Sequence, residues 1–110
     1  MPRFIMLYRG PAMPPGAMEG DAAKAINEKW GAWFGRVGPA LTDGGAPLVP
    51  TASVVDDGSA GVAADVTGYS IVEAPDAAAA RAFTRNHPHL DQRNGQFSID
   101  VFELLPIPGM

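Results

Sequence analysis

The chain has 110 residues, 46% of them apolar and 18% charged, with no cysteine and a formal net charge of −4. One domain spanning residues 1–110 is expected at this length, and disulfides, thiolate catalysis and cysteine-based metal sites are excluded. The eight basic residues are scattered, so no nucleic-acid partner is expected; no run approaches the ~20 apolar residues of a membrane span or forms a signal peptide, so a soluble, cytoplasmic chain with no membrane partner is expected.

Residues 3–9, RFIMLYR, read as a strand, with Phe4, Met6 and Tyr8 on one face and Ile5 and Leu7 on the other. Apolar side chains on both faces predict a strand covered on both sides. GPAMPPGAMEG, residues 10–20, is too rich in proline and glycine for regular structure. A connection of this kind is expected to be less ordered than the elements it joins and to border a pocket mouth. Asp21 is the expected N-cap of a helix in which Ile26, Trp30, Trp33, Phe34 and Val37 form an apolar stripe, and Gly38-Pro39 ends it. Trp33 and Phe34 are expected to face the sheet as core.

ALTDGG, residues 40–45, reads as a short strand entering a turn, and Asp57-Gly58 marks a hairpin. GYSIVEA, residues 68–74, is the clearest strand after the first. Pro75 and Asp76 open a second helix over residues 76–86, with Ala79, Ala82 and Phe83 as a small-residue face and Pro88 as its stop. QFSIDVFELL, residues 96–105, is the last strand, with Phe97, Ile99 and Val101 on one face and Phe102 and Leu104 on the other. The order β-α-β-β-α-β is that of an α+β, ferredoxin-like fold with an antiparallel sheet and two helices on one face. Two helices leave the other sheet face bare, although the first and last strands are apolar there too. A patch of that size calls for a second copy of the chain, so a homodimer is expected.

RFIMLYRG, WGAWFGRVGPALTDGGAPLVP, GYSIVEAPDAAAARAF and NHPHL, in that order and spacing, resemble the YCII-related family in its DGPF-type branch. The resemblance covers nearly the whole chain and implies a ferredoxin-like fold and a dimeric α+β barrel. The Asp-Gly-Pro-Phe sequence that gives the branch its name is missing; the middle hairpin is shortened to DDGSAGVAADVTGY. The resemblance also implies a catalytic His on the first helix and an Asp before the proline that ends the second. Trp30 stands at the first position and His87, followed by Pro88, at the second. Asp100 matches an acidic residue common in the branch's last strand.

His87 is the candidate acid/base group, since imidazole titrates near pH ~6.5; its plainer use is as a helix-terminal residue. Asp43 and Asp100 are candidate orienting carboxylates. For Asp43 the plainer use is in a turn, and Asp100 equally suits an outward edge position. Trp30, Tyr8 and Met6 are the candidate ligand contacts, with Trp30 as a pocket wall beside His87. His87 and His89 have a His-x-His spacing, but Asp91 is the single carboxylate near them, so no metal is expected. No cofactor-binding sequence is present and none is expected. Three readings follow. The first is a protein of this family that binds an unknown small molecule without established catalysis. The second is a lyase- or isomerase-type enzyme using His87. The third is a dimerisation module without a pocket.

Overall fold

The computed structural model describes residues 1–11 and 19–109. Most of the 10–20 connection, expected to be loosely ordered and to border a pocket, therefore lies outside the described residues.

The elements are β1 (Arg3–Arg9), α1 (Gly20–Val37), β2 (Leu41–Asp43), β3 (Val66–Glu73), α2 (Ala77–Ala82) and β4 (Ser98–Leu104), with single 3-10 turns at Gly38–Ala40 and Pro88–Leu90. The strands form one antiparallel sheet in the order β2-β3-β1-β4, which is the ferredoxin-like arrangement. β1 lies at the centre, hydrogen-bonded along its whole length to β3 on one side and β4 on the other.

On one face of β1, Phe4, Met6 and Tyr8 are buried in a core with Trp33 and Val37 of α1, Val72 of β3, Ala74 just after β3, and Ala80 of α2. Both helices therefore cover this face. On the other, Ile5 lies between Ile71 and Phe102, and Leu7 lies between Tyr69 and Asp100. No helix among the described residues reaches that side. Ile5 and Leu7 are only half-buried, and Phe102 is 54% exposed. The expected cover on both faces of β1 is thus met by the chain's own helices on one face alone.

Three local expectations are corrected. α1 starts at Gly20, so Asp21 is in its first turn rather than at the N-cap; a carboxylate there still favours the helix dipole. Phe34 is exposed rather than core: one residue on from Trp33, it sits at the solvent edge of the helical stripe, its ring against Trp30 and Trp33 and near the turn at Gly44. α2 ends at Ala82, four residues short of the expected Asn86. The amides of Phe83, Thr84 and Arg85 bond to carbonyls three residues back, and the Thr84 hydroxyl donates to the Arg81 carbonyl at 2.7 Å. Local bonds of this kind compete with helix continuation. Asp76 caps the helix by accepting from the Ala79 amide at 2.8 Å.

Beyond β2 the chain turns at Gly45, whose φ of +82° suits glycine and where a Cβ would come within 1.6 Å of the Tyr69 carbonyl. The Asp57-Gly58 hairpin is present: Val55 and Ser59 are joined by a 2.8 Å bond, as are Gly61 and Ser53. Its valines find little cover; Val54 is 78% exposed. This projecting segment helps explain a radius of gyration of 15.7 Å, against about 13 Å for a compact chain of this length.

Candidate functional site

A polar residue at a buried strand position needs a partner, and β3 places one such residue, Ser70, between Gly68 and Val72 on the helix-covered face. Tyr8 lies on the adjacent strand and donates its hydroxyl proton to Ser70 Oγ at 2.7 Å. Ser70 Oγ in turn donates to the Gly44 carbonyl at 3.0 Å. On the other side of Tyr8 is His87, which is fully buried, with Nε2 3.1 Å from the Tyr8 hydroxyl.

His87 has its place because it caps the 88–90 turn: Nδ1 accepts from the His89 amide at 3.1 Å. That bond fixes the tautomer. With Nδ1 accepting, the ring proton is on Nε2 and is donated to Tyr8. The relay therefore runs in one direction, from the His89 amide through His87, Tyr8 and Ser70 to the Gly44 carbonyl. Burial, reinforced by the nearby His89 and Arg36 charges and opposed by Asp91, lowers the His87 pKa to about 3. Burial also pushes the Tyr8 phenol up to about 12, against the opposing effect of its Ser70 bond. Both groups are neutral at neutral pH, and neither His87 nitrogen has a free lone pair or proton.

Aromatic rings enclose this relay. Trp30 meets His87 edge-on at 4.9 Å between ring centres and Tyr8 at 5.2 Å. Trp33 lies 4.3 Å from His87, and its indole Nε1 donates to the Phe83 carbonyl at 2.8 Å. Trp30 and His87, 57 positions apart in the sequence, are thus in direct ring contact. Met6 is fully buried and Tyr8 nearly so, whereas Trp30 keeps part of its surface exposed.

The candidate carboxylates lie elsewhere. Asp100 is opposite Leu7 on the helix-free face and forms a 3.2 Å ion pair with Arg9. Asp43 accepts from the Gly45 amide at 2.8 Å and from the Tyr69 hydroxyl at 3.2 Å; its charge raises the Tyr69 pKa. Tyr69 is also on the helix-free face, opposite Leu7. The sheet therefore separates both carboxylates from His87, and the structure does not bring the proposed acid/base set together. His89, considered above only for its metal-like spacing, is half-buried, with Nε2 at 2.8 Å from the Arg9 carbonyl.

Two cavities flank the relay. The first, about 450 Å³, lies between the short α2 and β4, with Phe4, Leu90, Ile99 and Val101 as apolar lining and Arg81 and Glu103 as charged groups. It exists because α2 stops early and leaves this part of the helix-bearing sheet face without cover. The second, about 530 Å³, lies between α1 and the segment after α2. Trp33 lines the second; Trp30, His87, Tyr8 and Met6 line neither. Sequence reasoning missed Ser70, although a serine in phase with the buried Val72 was a legible signal. It missed both cavities, which depend on where α2 ends.

Among solved structures, the chain is similar to the 5-chloro-2-hydroxyhydroquinone dehydrochlorinase of Burkholderia phenoliruptrix, solved in complex with 2,5-dihydroxybenzoquinone. The TM-score is 0.54, with 16% identity, over 94% of this chain and 93% of that one. That likeness supports the ferredoxin-like fold. No family model matches the chain, and no curated protein matches it.

Proposed function

We propose that this chain is a homodimeric, cytoplasmic, single-domain small-molecule-binding protein of YCII-related type, and that its ligand lies in the cavity between α2 and β4. The carrying observation is that cavity's size and chemistry: about 450 Å³ with an apolar lining and two charged groups, Arg81 and Glu103. Small-molecule sites combine these features. The lining suits a small ring system bearing hydroxyl or oxo groups, the class to which the structural neighbour's 2,5-dihydroxybenzoquinone belongs. Binding without proton transfer is favoured over the lyase or isomerase reading. Trp30 carries no titratable proton at the position where the family resemblance implies a His, and His87 has both ring nitrogens engaged. In this reading His87, Tyr8 and Ser70 hold the sheet, α1 and the 88–90 turn in register, and Trp30 closes the relay against water. A pure dimerisation module gives no account of the cavity. The homodimer is supported by the bare sheet face carrying Ile5, Leu7, Ile71, Phe102 and Leu104.

The test is isothermal titration with 2,5-dihydroxybenzoquinone and a panel of hydroxybenzoates, on the wild type and on Val101→Trp, which fills the cavity. Saturable binding by the wild type and its loss in V101W is the expected result. No binding by the wild type, or equal binding by V101W, overturns the assignment.

A further inference from the structure

The second cavity has a different chemistry. Lys29 and Arg36 reach it from α1, and Asn86, Asp91 and Arg93 from the segment following α2. Three cations and one carboxylate give a local balance of +2 (3 − 1) in a chain whose formal net charge is −4.

Two further observations mark the same cleft. Among the described residues, the two non-glycine residues with left-handed backbone are Asn86 and Arg93, each at φ +53°, and both line it. Asparagine tolerates that region; arginine gains nothing from it. Strained backbone of this kind collects at ligand sites, where it aims a side chain. In addition, Arg36 is held in place: its Nη2 donates to the carbonyls of Phe83 and Arg85, while its Nε and Nη1 make no hydrogen bond among the described residues. A guanidinium fixed through one nitrogen offers its other donors already oriented.

We infer that this cleft is a second binding site, for a small free anion bearing a carboxylate or phosphate group, held between Arg36 and Arg93. Lys29 and Asp91 form the rim. Their 2.8 Å ion pair spans the cleft between α1 and the segment after the 88–90 turn, with both side chains partly in solvent. Asp91 thereby occupies a cation that an incoming anion would use, so it competes with the ligand. Arginine forks suit both carboxylate and phosphate, and the measurement separates the two.

The experiment is NMR titration with inorganic phosphate and, separately, with malonate, at constant ionic strength with chloride as the control. The Trp33 indole and arginine Nε–H signals are followed. Saturable shifts with one of the two anions and none with chloride are expected, and the tighter of the two identifies the chemical class. R93G removes the cation while suiting the left-handed backbone. It should keep or raise thermal stability and weaken binding at least tenfold, with R93K retaining part of it. D91N should tighten binding several-fold. Shifts that fail to saturate, that chloride reproduces, or that R93G leaves unchanged overturn the site.

Discussion

The two faces of the sheet follow opposite rules although they are built from alternate residues of the same strands. On the helix-covered face, Phe4, Met6 and Tyr8 are buried, and the polar groups among them are joined end to end through His87, Tyr8 and Ser70. No buried side-chain nitrogen or oxygen among the described residues lacks a partner. On the helix-free face, apolar side chains stay in contact with solvent, and the polar contacts are exposed, as in the Arg9–Asp100 pair. The covered face contributes stability through density and full hydrogen bonding. The open face leaves Ile5 and Leu7 half-buried and Phe102 exposed, so it contributes less in the isolated chain.

Substitution within the aromatic cluster is the strongest way to break this contrast. Trp33→Ala should lower folding stability by about 3–5 kcal/mol, measured by urea denaturation, because it leaves a cavity in a packed core. It also removes the donor to the Phe83 carbonyl. Trp30→Ala should cost about half of that or less, since part of the ring is already in water. Equal losses for the two tryptophans would mean that Trp30 is as much a part of the core as Trp33.

The second way is through pH, because the covered face holds a histidine that cannot easily be charged. Folded His87 titrates at about 3, whereas an unfolded histidine takes up its proton near ~6.5. As the pH falls below ~6.5 the unfolded chain is protonated first, so stability is full above that value and erodes progressively down to about pH 3. Each pH unit is worth about 1.4 kcal/mol, so His87 should account for about 2 kcal/mol between pH 6.5 and 5. His87→Gln should flatten this part of the stability profile relative to the wild type, whatever it costs at pH 7. An unchanged slope would show that the imidazole takes its proton without unfolding. Tyr8 acts in the mirror sense: its contribution is complete below pH ~10 and is lost as the pH rises towards about 12.

These contrasts also mark where the sequence could be read and where it could not. The apolar run RFIMLYR announced a strand, and the break at Gly38-Pro39 placed the end of α1, because these are local signals; Pro88 lies six residues beyond the end of α2 and did not place it. Trp33 was legible as core from its place in the helical stripe, but Phe34, one residue on in the same stripe, was not legible as exposed. Its exposure depends on the helix's rotation over the sheet. The length of α2 was hidden because alanine-rich sequence propagates a helix well, whereas the i→i−3 bonds that replace it at Phe83–Arg85 leave no distinct mark in the residue types. His87 and Trp30 could be placed side by side from the family resemblance. That Asp43 and Asp100 belong to the opposite face depended on strand register, which shifts every side chain when it slips by one residue.

The smallest expected effect on folding, and the one that says most about the open face, is Phe102→Asp. Phe102 is on the edge strand β4, opposite Ile5, with 54% of its surface exposed in the single chain. Substitution at such a position changes the stability of a monomer by about 0.5 kcal/mol or less. If two helix-free faces pack together, the same side chain is at the centre of an interface expected to bury ~2,000 Å² or more, and an unpaired carboxylate there is costly. Sedimentation of the wild type at micromolar concentration should therefore show a dimer, and F102D should sediment as a monomer with unchanged helix content. A wild type that sediments as a monomer removes the homodimer. A dimer unaffected by F102D moves the interface to another surface, and the exposed valines around the Asp57-Gly58 hairpin would then be the next to substitute.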